Sequence, residues 1–175
     1  MDTVRFWAII GASRSGFDPQ RLDGNMDAQL QQLESLLDAL PAEEIAQFES
    51  EFEQRMADAY RWDLWGAAYV IQGGCSDDGF IDFRSWLISM GREVYEAALR
   101  DPETLVDVAD ASGVEETSFE DFQYAARQIY ESKTGHELPD TGVSHDNEPR
   151  GEPWSEDRDD LAQLLPKLWQ RYGDV

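Results

Sequence analysis

The chain has 175 residues, of which 37 are acidic and 14 are basic, so its formal net charge is −23. A chain of this length forms one domain and buries roughly 70% of its unfolded surface, so its core needs no covalent crosslink. So acidic a surface repels phosphate, and the arginines are scattered rather than clustered. We therefore expect binding neither to nucleic acid nor to an anionic membrane.

The remaining composition bears on the compartment and on the meaning of the charge. Cys75 is the only cysteine, which excludes an internal disulfide and fits a reducing compartment. The first residues do not resemble a secretion signal, and the apolar stretches fall short of the roughly 20 residues that span a bilayer. We expect a cytoplasmic protein. The acidity itself has two interpretations: it serves solubility, or it attracts a basic protein or cations or mimics a nucleic-acid backbone.

Hydrophobic spacing predicts an all-α fold, a compact multi-helix single domain, beginning with a short buried helix over residues 3–13. A second helix is predicted from Asn25 to Leu40, with leucines at every third or fourth position. A third begins with Pro41 in its first turn, where proline is tolerated. It carries Ile45, Phe48, Phe52, Met56 and Ala59 on its apolar face and directs Glu49, Glu51 and Glu53 towards water.

The middle of the chain predicts further helices separated by glycine signals. Residues 62–71 are apolar nearly all round, which indicates a helix inside the domain. Residues 72–74 are expected to end this helix. Asp77 or Asp78 is then expected to cap the next helix, which Gly91 interrupts or bends. A cap-and-proline signal at residues 101–102 predicts a short helix to about residue 111.

The last third divides into three predicted parts. Ser118 opens a final core helix that Gly135 closes, completing a helical domain over residues 1–135. Residues 136–153 are polar, acidic and aperiodic, which indicates a linker or mobile loop. Residues 154–175 regain apolar spacing and are expected to form a C-terminal helical segment, split in two by a proline, that docks on the domain.

The densest group of aromatic, glycine and acidic residues lies between residues 62 and 87, and it carries a resemblance. Its three runs are Trp62-Asp63-Leu64-Trp65-Gly66-Ala67-Ala68, Gly74-Cys75-Ser76-Asp77-Asp78-Gly79-Phe80 and Phe83-Arg84-Ser85-Trp86-Leu87. With these runs the chain resembles the bacterial domain-of-unknown-function family 4240, from about Phe6 to Gly135 and again near Pro166–Trp169. The resemblance implies a compact helical domain marked by this loop, and it implies no activity.

The loop itself is open to three chemical interpretations. A calcium loop of the EF-hand type would place Gly74 and Ser85 where carboxylates are needed, so it lacks its strongest ligands. A weaker cation site from Asp77, Asp78 and Asp82 stays open. Cys75 or Ser76 as a nucleophile would need a positioned base, and only two histidines exist, in or beside the linker. Structurally, Arg84 is free to pair with a neighbouring aspartate and tie the loop to its helices.

The sequence therefore predicts a surface rather than a reaction. Its candidate binding residues are Trp62, Asp63, Trp65, Cys75, Ser76, Asp77, Asp78, Asp82, Arg84 and Trp86. We expect no cofactor and no metal, and a non-enzymatic acidic module that binds a basic surface of a protein partner. The alternative is an enzyme, or a small-molecule or cation-binding protein, with a carboxylate site in the Gly73–Phe83 loop. Convergence of Asp77 and Asp78 in a pocket favours the alternative, and exposure to water disfavours it.

Overall fold

The computed structural model describes residues 1–173, and this range folds into nine α-helices and one 3-10 helix. The predicted all-α fold class is confirmed. No helix in residues 1–173 is both long enough and apolar enough to cross a bilayer. The elements are α1 (Thr3–Ser13), α2 (Asn25–Asp38), α3 (Ala42–Asp58), α4 (Trp62–Gln72), α5 (Asp77–Ser89), α6 (Arg92–Arg100), the 3-10 helix Pro102–Asp107, α7 (Glu120–Thr134), α8 (Arg158–Leu164) and α9 (Pro166–Tyr172).

Most helix ends follow local signals in the sequence. The carboxylate of Asp101 accepts the backbone N–H of Glu103 at 3.0 Å and starts the 3-10 helix. Gly135 ends α7 with φ of 74°, a left-handed conformation that glycine adopts without a steric penalty. Pro41 lies one position earlier than predicted, as the residue that caps α3 rather than in its first turn. A proline has no N–H to leave unpaired at either position.

Helix α7 lies at the centre of the packing, against α2, α3 and α5. Its Phe122 ring is 6.2 Å from the ring of Phe52 on α3. One turn earlier on the same face of α3, the ring of Phe48 is 5.0 Å from that of Phe6 on α1. These four phenylalanines are almost completely buried, so aromatic contacts hold α3 against both α1 and α7.

One acidic residue of α3 is buried, contrary to the predicted orientation. Glu49 is only 4% exposed, whereas Glu51 and Glu53 are partly exposed. The reason is helical geometry: Glu49 follows Ile45 by four positions and precedes Phe52 by three, so it falls within the apolar stripe that faces α7. The prediction that Glu49 faces water was wrong.

The C-terminal end of α3 collects donors from three separate segments. The carbonyl oxygens of the last turn of a helix accept few backbone hydrogen bonds, so they are open to other donors. Here the Tyr95 hydroxyl donates to the carbonyl of Arg55 at 2.7 Å. The Arg84 guanidinium donates to the carbonyl of Met56 at 2.7 Å. The Arg150 guanidinium donates to the carbonyl of Ala57 at 2.8 Å.

The chain after α7 runs back along this same end of α3. The backbone N–H of Arg150 donates to the carbonyl of Tyr60 at 3.0 Å, and the carbonyl of Arg150 accepts from Trp62 at 2.9 Å. Further on, α9 packs against α4 and the 3-10 helix. The buried carboxylate of Glu103 accepts the backbone N–H groups of Lys167 and Leu168 at 2.9 and 2.8 Å, which satisfies the start of α9.

We predict that Tyr95→Phe lowers the free energy of unfolding by about 1 kcal/mol, because it deletes one buried hydrogen bond and leaves the ring in place. Chemical denaturation measures this change. The matched control is Tyr124→Phe, since Tyr124 is 40% exposed and its change is expected to stay within about 0.5 kcal/mol. Equal effects of the two substitutions would show that the α3 end does not depend on the Tyr95 hydroxyl.

Candidate functional site

Three aromatic rings form a nearly parallel stack where α4 meets α5. The Trp65 ring lies between those of Trp62, at 5.4 Å and 9°, and Phe80, at 5.2 Å and 6°. The Trp65 indole N–H donates to the carbonyl of Cys75 at 3.0 Å, which ties the stack to the loop before α5. The predicted residues Trp62, Trp65 and Cys75 are thus brought together, in partly buried positions.

A tryptophan outside the predicted surface completes this aromatic group. The Trp154 ring lies edge-on to Trp62 and Trp65, at 6.0 and 6.3 Å, and its indole N–H donates to the carbonyl of Trp62. This approach needs Gly66, because a Cβ there would lie 3.1 Å from the Trp154 indole nitrogen. The glycine inside an otherwise apolar helix was the sequence signal for such a contact.

The acidic loop serves as a helix start. Ser76 caps α5 by accepting the backbone N–H of Gly79 at 3.1 Å, so the predicted cap at Asp77 or Asp78 was wrong. A serine one residue earlier occupies the cap, and the two aspartates follow in the first turn, where the helix dipole favours negative charge. Both aspartates and Ser76 are exposed to solvent. Asp77 borders a depression with aromatic walls, but Asp78 is not in its lining, so the two carboxylates do not converge there.

Cys75 is half-buried behind this cap, and its environment suppresses the thiolate. Burial first, and then the charge of Asp82, raise the pKa of the Cys75 thiol to about 11. The thiolate is the nucleophilic form of cysteine, so this thiol is a poor nucleophile near neutral pH. The position of Cys75 therefore fits packing rather than covalent catalysis.

Arg84 is used internally, which differs from its expected pairing with a neighbouring aspartate. Its guanidinium lies 4.7 Å from the ring centre of Tyr60 and 4.9 Å from that of Phe80. Burial lowers its pKa to about 10. Asp63 pairs instead with Arg61, at 2.6 Å. Arg84 is only 8% exposed, and the α3 end and the aromatic faces stabilise its charge.

The structure separates the remaining predicted residues. Trp86 is 2% exposed and belongs to the core, so it offers no binding surface. Asp82 accepts a hydrogen bond from the amide of Gln123 on α7 at 3.1 Å and faces away from the aromatic stack. Asp82 lines a surface depression whose volume is about 650 Å³ when the open space at its entrance is included.

This acidic depression has six carboxylates in its lining, more than sequence reasoning placed together. They belong to Asp27, Asp82, Glu115, Glu116, Glu120 and Asp121. No ion pair between these six and a basic group occurs among the described residues. Burial first, then the charge of Glu120, raise the pKa of Asp82. No local pattern in the sequence indicates that residues so far apart meet here.

A second depression, between α3 and α7, contains the buried Glu49. It measures about 630 Å³ with its mouth and includes Glu53, Tyr124, Arg127 and His145 in its lining. Burial first, and then the charge of Glu53, raise the pKa of Glu49 to about 7. A carboxyl group that titrates near neutral pH in an open cleft is a functional-site candidate. Sequence reasoning missed it because Glu49 was placed on the solvent face.

Metal-ligand geometry is not found in the part of the chain that the structure describes. Within residues 1–173 no three histidine, cysteine, aspartate or glutamate side chains are grouped so as to hold a metal ion. This includes Asp77, Asp78 and Asp82, for which the sequence left a weak cation site open. Asp82 turns towards α7, whereas the other two face water.

The fold and these sites define an all-α acidic domain with an aromatic stack between two of its helices and carboxylate-lined depressions beside α7. The chain belongs to the family described as "Protein of unknown function (DUF4240)", which matches residues 1–132. The predicted family resemblance is confirmed over that range, and Pro166–Trp169 lies outside it. No curated protein and no solved structure gave a significant match.

We predict that Glu49→Gln makes the protein more stable at pH 8 than the wild type. The pKa of Glu49 rises from 4.5 to about 7 on folding, so the folded state holds a proton that the unfolded state has lost. Wild-type stability is therefore lost as the pH rises between these values, by roughly 2 kcal/mol from pH 5 to pH 8. Urea denaturation at both pH values measures the difference between the variant and the wild type.

The control for this experiment is Glu43→Gln, which removes one charge from an exposed position of the same helix. Its stability should follow the wild-type pH dependence. If Glu49→Gln shows no relative gain at pH 8, the Glu49 carboxyl is not buried as described.

We also predict slow alkylation of Cys75. Raising a thiol pKa from 9.0 to about 11 reduces the thiolate fraction at pH 8 on the order of a hundredfold. Iodoacetamide labelling of the folded protein, followed by mass spectrometry, measures the rate against the same chain unfolded in urea. Comparable rates in the two states would contradict the burial of this thiol.

Proposed function

We propose that this protein is a non-enzymatic interaction module that binds a basic segment of a protein partner on its acidic surface. The observation that carries the proposal is the acidic depression beside α5 and α7, whose six carboxylates have no basic partner among the described ion pairs. Basic side chains of a partner would supply the missing counter-charge.

Repulsion within the depression supports this assignment. The raised pKa of Asp82 has burial as its main cause, followed by the charges of Glu120 and Asp78. The pKa of the exposed Tyr124 is also raised, with contributions from Glu120 and Asp82 after desolvation. A cation placed here relieves repulsion between like charges, so its binding is electrostatically favourable. The field of a chain with charge −23 also accelerates encounter with a basic partner.

Neighbouring depressions extend this surface. Gln123 lines the α3–α7 cleft and donates to Asp82 of the acidic depression. His145 lines both that cleft and a third depression, whose lining includes the carboxylates of Asp77 and Asp146. An extended basic segment can therefore meet carboxylates in all three depressions, which suits lysine and arginine side chains.

The alternative, a carboxylate site in the Gly73–Phe83 loop, draws less support from this geometry. Asp77 and Asp78 are exposed, Asp77 alone of the two borders the aromatic-lined depression, and Asp82 faces the acidic depression instead. Ser76 is engaged as a helix cap, and Cys75 has a raised pKa. Acid–base or nucleophilic catalysis requires such groups to converge on one reacting atom.

We further infer that the module works in the bacterial cytoplasm. The single cysteine and the composition support a reducing compartment, and the family resemblance supports a bacterial source.

We predict that a fluorescently labelled octa-arginine peptide binds the protein. Its dissociation constant should rise by about tenfold or more between roughly 50 and 300 mM salt, because salt screens the several charge pairs that hold the peptide. Fluorescence anisotropy measures the affinity. The triple variant Glu116→Gln/Glu120→Gln/Asp121→Asn should weaken binding roughly tenfold at low salt, because it removes three carboxylates from the depression.

The matched control is Glu43→Gln/Glu93→Gln/Glu137→Gln, which removes three exposed charges from elements outside the depression. It should retain most of the affinity. Equal weakening by both triple variants would mean that net charge alone attracts the peptide, and the proposed site would be wrong.

A further inference from the structure

The α3–α7 cleft presents two carboxylates one helical turn apart. Glu49 and Glu53 lie on α3, and Tyr124 and Arg127 face them from α7. His145 approaches from the irregular segment, with its Nε2 at 3.9 Å from Glu53. No residue of α1 or α5 is among those lining the cleft in the described chain. These five are therefore its titratable groups.

The Glu49 carboxylate is buried by more than nine-tenths and yet lines this open cleft. Its resident counter-ion is shared and at the long end of ion-pair distances, since Arg127 Nη2 is 3.6 Å from Glu49 Oε1 and 3.8 Å from Glu53 Oε1. Charge-assisted hydrogen bonds measure about 2.7–2.9 Å, so neither contact is a close one. The Arg127 side chain is also 48% exposed, which leaves it free to move aside.

The walls of the cleft suit the stem of a basic side chain. Phe52 and Met56 supply apolar surface from α3, and the Tyr124 ring borders them from α7. A lysine or arginine side chain packs its alkyl stem on apolar surface and directs its charged head to polar groups. When both carboxyl groups are ionised, one resident guanidinium faces two negative charges, so the cleft is one positive charge short.

We propose that the Glu49–Glu53 cleft is a subsite for one alkylammonium or guanidinium group, and that the incoming cation displaces a proton from Glu49 to the solvent. This subsite deepens the proposed function and rests on it when the cation is a side chain of the basic partner. A free alkyl cation has the same chemistry and is the other source that the experiment distinguishes.

Proton release follows from the state of Glu49 before binding. Burial and the charge of Glu53 raise its pKa to about 7, so the carboxyl is about half protonated at neutral pH. A cation within reach of its oxygens stabilises the ionised form and lowers the pKa. Binding at pH 7 should therefore release about half a proton per cation bound.

The test is calorimetric titration of octa-arginine at pH 7 in two buffers with different ionisation enthalpies, which measures the protons released. We expect about half a proton for the wild type, none for Glu49→Gln, and the wild-type value for Glu43→Gln. Peptide binding without proton release, or equal release by Glu49→Gln, would overturn the subsite and leave the proposed function intact.

A second measurement uses butylguanidinium, which needs no protein partner. Carbon-13 NMR follows the titration of the Glu49 carboxyl, and we expect added butylguanidinium to lower its apparent pKa. If octa-arginine does not bind at low salt, the proposed function fails. The butylguanidinium titration then tests the subsite independently of any protein partner. A lowered pKa of Glu49 supports a site for a small cation, and an unchanged pKa of Glu49 overturns the subsite.

The substitution Arg127→Gln distinguishes cation binding in the Glu49–Glu53 cleft from a purely structural role of these residues. Removing the resident guanidinium should strengthen binding of butylguanidinium severalfold, because one competing cation is lost. A structural tie between α7 and α3 predicts lower stability with no gain in affinity, and that result would overturn the subsite.

Discussion

The C-terminal end of α3 is the point on which the candidate surfaces depend. Its carbonyl groups carry the negative end of the helix dipole and accept few backbone hydrogen bonds. Tyr95, Arg84 and Arg150 add side-chain donors from α6, α5 and the irregular segment. Because one helix end draws in three distant parts of the chain, it fixes where the aromatic stack and the α3–α7 cleft lie.

This arrangement also decides what Arg84 is able to do. A buried guanidinium without a carboxylate partner would ordinarily indicate a site for an anion. Here two carbonyl oxygens accept its hydrogen bonds, and the faces of Tyr60 and Phe80 cover it. Its charge is therefore stabilised within the fold. In the acidic depression, by contrast, six carboxylates have no basic partner among the described residues, and for that reason we place the proposed recognition there.

The burial of Glu49 gives the acidic surface a chemical character that net charge alone does not. An exposed carboxylate stays ionised near neutral pH and acts as a fixed charge. The pKa of Glu49 is raised to about 7 because the fold places the carboxyl away from water and beside Glu53. Under the proposed function, charge recognition and proton binding are therefore linked at this position of α3.

The sequence by itself determined the helices, their main boundaries and the family. Apolar residues at intervals of three and four, with glycines at helix ends such as Gly73 and Gly135, act over a few neighbouring residues and can be read from them. The cap at Ser76 and the burial of Glu49 were also local, although they were interpreted wrongly. Tertiary structure alone decided that Trp154 joins the aromatic stack, that Arg84 closes α3, and that Asp27, Asp82 and Glu120 share a depression. Such contacts depend on how the helices pack, and residues separated by tens of positions carry no local signal of it.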